Sequence, residues 1–60
     1  MSDPDYPLVV KDSNGKSYAR YRDWAQDLAE GDAREIAGIS GKRATVWNEQ
    51  TNQTVFTADP

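Results

Sequence analysis

Sixty residues without a cysteine or a histidine, carrying seven basic and ten acidic side chains for a formal charge of −3, exclude more functions than they suggest. A chain of this length buries only about 60% of the surface its unfolded form exposes, which implies one domain with little reserve for a deep pocket or a strained catalytic loop. Disulfides, zinc thiolates, thiol nucleophiles, the commonest general base and the commonest metal ligand are ruled out, so carboxylates, amines, hydroxyls and backbone must supply any chemistry.

Met1 to Asp5 is polar and holds Pro4, which has no N–H to give to a strand ladder, so residues 1–5 are expected to form a disordered tail ahead of a single domain spanning 6–60. This start lacks the basic residues of a signal peptide. The longest apolar run, Leu8-Val9-Val10, is far short of the roughly 20 residues that cross a bilayer. A soluble, cytoplasmic protein with no membrane partner is the expectation.

Tyr6 to Asp12 carries the β-branched and aromatic residues of a strand, and Asn14-Gly15 is the pair that a two-residue type I′ turn demands. That turn sets Lys11 opposite Tyr18, Val10 opposite Ala19, Val9 opposite Arg20 and Leu8 opposite Tyr21. The two-residue period of a strand then sorts the side chains. Leu8, Val10, Ala19 and Tyr21 form a core face, while Val9, Lys11, Tyr18, Arg20 and Arg22 form an outer face.

From Asp23 the period changes, with Trp24, Ala25, Leu28 and Ala29 on one side of a helix. A single helix reaching Ile39 would set Asp32 within the apolar stripe of Leu28, Ile36 and Ile39, where an unpaired carboxylate is costly. A break at Gly31, with Asp32 as an N-cap and Glu35 as its capping-box partner, resolves the conflict, and Asp23 with Gln26 repeats the signature one helix earlier. Two short helices are therefore predicted, near 24–30 and 33–38.

Strand chemistry returns in Arg43 to Asn48 and in Gln53 to Ala58, joined by a polar loop in which Asn52 suits the left-handed position of a three-residue hairpin with a bulge. In that register Trp47 faces Val55 and Val46 faces Phe56. The assembled expectation is an α+β domain of the order ββααββ, with a small antiparallel sheet from two β-hairpins covered on one side by the helices.

If Val46 and Phe56 point at the helices, the open sheet face gathers Trp47, Val55, Tyr18, Val9, Lys11, Arg20 and Arg22. An aromatic patch with a basic rim suits a protein interface, and it equally suits stacking on single-stranded bases. The bland alternative is that Trp47 packs over Val55 to cover the sheet while the cations solvate it. A negative total charge, with a pI of about 4.6, disfavours a chain whose affinity must come from neutralising phosphates, although Lys42 and Arg43 add to the basic side.

Asp23, Asp27, Glu30, Asp32 and Glu35 make the helical side acidic, but three of them already have capping roles in this reading. A helix-turn-helix would need a basic second helix in place of Ile36, Ala37 and Ile39. Gly15-Lys16-Ser17 lacks the upstream glycine and following helix of a phosphate-binding loop, and no spacing sets a base beside a nucleophile. No catalytic, cofactor-binding or metal-binding residue is assigned, and no enzyme activity is expected.

The string from Asp12 to Tyr21, DSNGKSYARY, followed by Ala33-Arg34-Glu35-Ile36, is similar in pattern to a stretch of the small phage-encoded inhibitors of uracil-DNA glycosylase. The similarity covers less than a quarter of the chain and carries no residue role across. It illustrates a functional class: a small inhibitor that occludes a larger enzyme.

The leading expectation is a non-enzymatic protein-binding module, an inhibitor or modulator of a host protein from a phage or mobile element. Its anchors would be Trp47, Tyr18, Val55, Arg20, Arg22 and Lys11, and it would cover its partner's working surface or add a strand to a sheet edge. The alternative is a single-stranded nucleic-acid binder using the same face. A homo-oligomer joined through leftover apolar surface is a third reading.

Overall fold

The β-branched and aromatic segments pair as strands, and a single helix connects the two hairpins they form. The computed structural model describes residues 5–60, so the expected tail falls almost wholly outside the described residues. Strand β1 is Leu8–Asp12, β2 is Ser17–Tyr21, α1 is Gln26–Ser40, β3 is Ala44–Asn48 and β4 is Gln53–Ala58; a 3-10 turn over Asp23–Ala25 leads into the helix. The strands form one antiparallel sheet in the order β2-β1-β3-β4. The α+β class and the joined hairpins are as expected, but the order is ββαββ.

The first turn is longer than predicted. Gly15 has φ of +84° and Asn14 is not left-handed, while the Gly15 N–H donates to the Asp12 carbonyl and the Asp12 N–H to the Lys16 carbonyl, both at 3.0 Å. The loop is therefore three residues, Ser13 to Gly15, closed by a left-handed glycine. Asp12 Oδ1 selects this form by accepting the N–H groups of Asn14 and Lys16 at 2.9 Å each. Lys11 consequently faces Ser17 instead of Tyr18. Tyr18 becomes the extra residue of a bulge, after which Val10–Ala19, Val9–Arg20 and Leu8–Tyr21 pair as predicted.

The second hairpin repeats the arrangement. Asn52 takes the left-handed conformation with φ of 56°, and Asn48 Oδ1 accepts the N–H groups of Gln50 at 2.9 Å and Thr51 at 3.2 Å. With Asn48 opposite Gln53, the loop runs over 49–52, one residue longer than predicted, and Trp47 faces Thr54 instead of Val55. Val55 is the bulged residue, and Val46–Phe56 pairs as expected. In both hairpins a longer loop and a bulge offset each other.

The two predicted helices are one. Alanines at 25, 29, 33 and 37 recur at four-residue intervals and, with Ile36, form the buried stripe against the sheet. Asp32 lies on the flank of that stripe and accepts a hydrogen bond from the Tyr21 hydroxyl at 3.1 Å, so the carboxylate that argued for a break has a donor. Neither helical start carries a side-chain cap: the chain enters through the 3-10 turn, in which the Ala25 N–H donates to the Arg22 carbonyl at 2.9 Å. The helix ends at Gly41, where φ of 70° lets its N–H reach the Ala37 carbonyl at 2.9 Å.

The interior joins Leu8, Val10 and Val46 from the two central strands to Ala29, Ala33, Ile36 and Ala37 of α1, with Ala44 and Ala58 beside them. The sheet supplies most of the bulk, and the helix contributes mainly methyl groups that allow close approach of its backbone. Tyr21, Val55 and Phe56 pack at the margin of this cluster. Among the described residues, no helix is long and apolar enough to cross a membrane.

Candidate interaction surfaces

Two surfaces lie outside this core: the sheet face away from the helix and the outer side of α1. On the sheet face, Val9 is fully buried although it points away from α1. Its lateral neighbours are Arg20 on β2 and Trp47 on β3. Arg20 pairs with Glu49, and that guanidinium holds the Glu49 carboxyl below its ordinary value. The Lys11 ammonium stands 5.8 Å from the centre of the Trp47 ring. These long side chains form a layer over the middle of the sheet, with Trp47 only partly exposed.

The ends of this face are also tied. Arg22 donates to the Tyr6 hydroxyl at 3.0 Å and stacks with its guanidinium carbon 4.6 Å from the Tyr6 ring centre. At the hairpin end, the Tyr18 hydroxyl donates to Asp12 Oδ2 at 3.0 Å, and the Lys16 ammonium lies 5.3 Å from the Tyr18 ring centre. The Lys16 N–H above all, with the Tyr18 hydroxyl and the Asn14 N–H, lowers the Asp12 carboxyl below its ordinary value, and the same bond raises the Tyr18 phenol.

The six residues predicted as a single contact zone are thus divided. Trp47, Lys11 and Arg20 share the middle of the sheet face, with Arg22 at one end of β2 and Tyr18, 46% exposed, at the other. Val55 does not join them. Its bulge packs it against the core on the helix side, which corrects the expected Trp47–Val55 pair.

The second surface was not predicted. Trp24, Leu28 and Ile39 are 75%, 58% and 80% exposed, although the sequence pattern placed each beside the core. The signal that could have found them is the alanine ladder: once 25, 29, 33 and 37 fix the inner stripe, Leu28 and Ile39 must fall on a different side of the same helix. Asp32 and Glu35 lie between them in sequence and on the same side. Burial raises the Tyr21 phenol most, the Asp32 bond adds to this, and the charges of Asp32 and Glu35 act in the same direction, which locates both carboxylates near the end of β2. Arg34, the one cation of α1, is occupied elsewhere, with Glu30 at 4.0 Å and the Phe56 ring centre at 5.0 Å.

No pocket opens among the described residues, and among them no group of three or more acidic side chains is arranged to hold a metal ion. Compared with protein-family models, curated proteins and solved structures, the chain gives no match.

Proposed function

We propose that this protein is a small, non-enzymatic protein-binding module that acts as an inhibitor or modulator of a larger host protein. One observation carries the reading: three of the four large apolar side chains of the helical segment, Trp24, Leu28 and Ile39, stand in water, while Ile36 and a row of alanines face the interior. Burying such side chains would contribute about 1.5–3 kcal/mol each, so a chain with so small a core gains more from covering them than from most internal contacts. Tyr and Trp at exposed positions are also the residue types that dominate interface energetics.

The single-stranded nucleic-acid reading draws on Tyr18 and the cations of the sheet face. Against it, Lys11, Lys16, Arg20 and Arg22 are already stacked on rings or paired with carboxylates, and phosphate binding would have to displace those partners.

Affinity purification from the source cell tests the proposal with three baits: the wild type, Ile39→Ser on the helix face and Trp47→Ala on the sheet face. A partner recovered by the wild type and Trp47→Ala but lost with Ile39→Ser is expected. Equal recovery by all three would remove the helix face as the contact. Oligonucleotide binding that is tight at low salt and falls steeply as salt rises would favour the nucleic-acid reading instead.

A further inference from the structure

We infer that the outer face of α1 receives a cationic amphipathic helix of the partner, an inference that rests on the protein-binding reading above. Leu28, Asp32, Glu35 and Ile39 follow the alternating four-and-three spacing that keeps one seam of a helix facing a second helix. At about 1.5 Å per residue the seam is about 16 Å long, and Trp24 precedes it by one turn. Two apolar layers therefore bracket two carboxylate layers. Neither Asp32 nor Glu35 takes part in an ion pair among the described residues.

This pattern specifies its occupant by charge. A second copy of the chain fits poorly in either direction: antiparallel packing sets Leu28 against Ile39 but Asp32 against Glu35, and parallel packing sets each carboxylate against its own counterpart. Both crowd four carboxylates into the middle of a contact from which water is being removed, where like charges repel most strongly. An anionic lipid surface meets the same objection. A helix with Leu or Ile in its outer layers and Lys or Arg in its two central layers reverses the sign of the central interaction while covering the same apolar ends. The Tyr21 bond to Asp32 holds one of the two central carboxylates in place before the partner arrives.

The full chain, labelled with nitrogen-15, can be titrated with three synthetic helical peptides of about 20 residues. The first carries the apolar–cationic–apolar seam, the second has Glu in the two central layers, and the third has the composition of the first with the seam scrambled. The first peptide is expected to shift the amide signals of residues 24–39 and to bind at least about tenfold more tightly than the other two. Glu35→Lys leaves one carboxylate and one ammonium in the central layers and should abolish the preference between the first two peptides, and Ile39→Ser should weaken the first by about tenfold or more. Both side chains are exposed, and unchanged circular dichroism confirms that the variants fold.

Equal binding of all three peptides, no binding of the first, or a dimer in sedimentation experiments whose contact maps to α1 would overturn the inference. Its failure is separable from failure of the parent proposal. A captured partner that is lost with Ile39→Ser but retained by Glu35→Lys leaves the protein-binding module standing and removes the cationic helix.

Discussion

The Tyr21 hydroxyl donates to the Asp32 carboxylate at 3.1 Å and so fastens the end of β2 to the middle of α1. This contact lets a residue of low helix propensity sit mid-helix at the margin of the core without an unsatisfied charge.

Breaking that link should be measurable. Tyr21→Phe removes the donor and is expected to cost about 1 kcal/mol, which in a domain of this size lowers the thermal midpoint by about 4–8 °C. A double-mutant cycle with Asp32→Ala should return a coupling of similar size. Additive losses in that cycle would show that the two side chains act independently.

Substitution at the glycines distinguishes one helix from two. Gly31 and Gly38 lie within α1, their φ values are not left-handed, and a Cβ at either would meet nothing within 4 Å. Gly31→Ala is therefore expected to stabilise the protein by about 0.5–1 kcal/mol, whereas a helix break at Gly31 would make the same change destabilising. Gly41→Ala should cost about 1 kcal/mol, because φ there is +70°. Urea midpoints of the two variants report both signs.

Enlarging the inner stripe tests the close approach of helix and sheet. Ala29 and Ala33 are fully buried against Leu8, Val10 and Val46. Ala33→Leu is expected to destabilise by about 1–3 kcal/mol, because the added methylenes must push α1 away from the strands. The exposed Leu28→Ala should change stability by only about 0.5 kcal/mol. Similar losses at the two sites would contradict the assignment of inner and outer faces.

The pH dependence has two limbs. Asp12 and Glu49 are held below their ordinary values of 3.8 and 4.5, so each contributes stability that is complete above that value and disappears as pH falls through the depressed folded value. Tyr18 and Tyr21 are raised above 10.0, so their contributions are complete below that pH and disappear as pH rises through the folded value. With no histidine in the chain, denaturant midpoints should be nearly flat between about pH 5 and pH 9. Asp12→Asn should make the acid limb shallower, and Tyr21→Phe the alkaline limb. Unaltered limbs in these variants would refute the assignment.

Much of the sheet was legible because the two-residue side-chain period and the Asn-Gly and Asn52 turn signals are local properties. Pairs such as Val9–Arg20 and Val46–Phe56 could be read from them directly. The loop lengths could not, because the carboxylate of Asp12 and the amide of Asn48 each capture two backbone N–H groups and add a residue to the turn. The break expected at Gly31 is absent for a long-range reason: nothing near Asp32 in sequence reveals that Tyr21 offers a donor. The outer seam follows from the same contact, because an unbroken helix with alanines on its inner stripe turns Leu28 and Ile39 outward. On the sheet, Val55 moved out of the predicted contact zone because one bulged residue redirects its side chain.

The two bulges fall on β2 and β4, the outermost strands, and leave the central pair regular. Each interrupts the even row of amide and carbonyl groups that a stray chain would need as a template. The sheet therefore ends in two irregular borders, a device that opposes fibril growth and strand exchange at high concentration without requiring a proline or an inward-facing charge at either border.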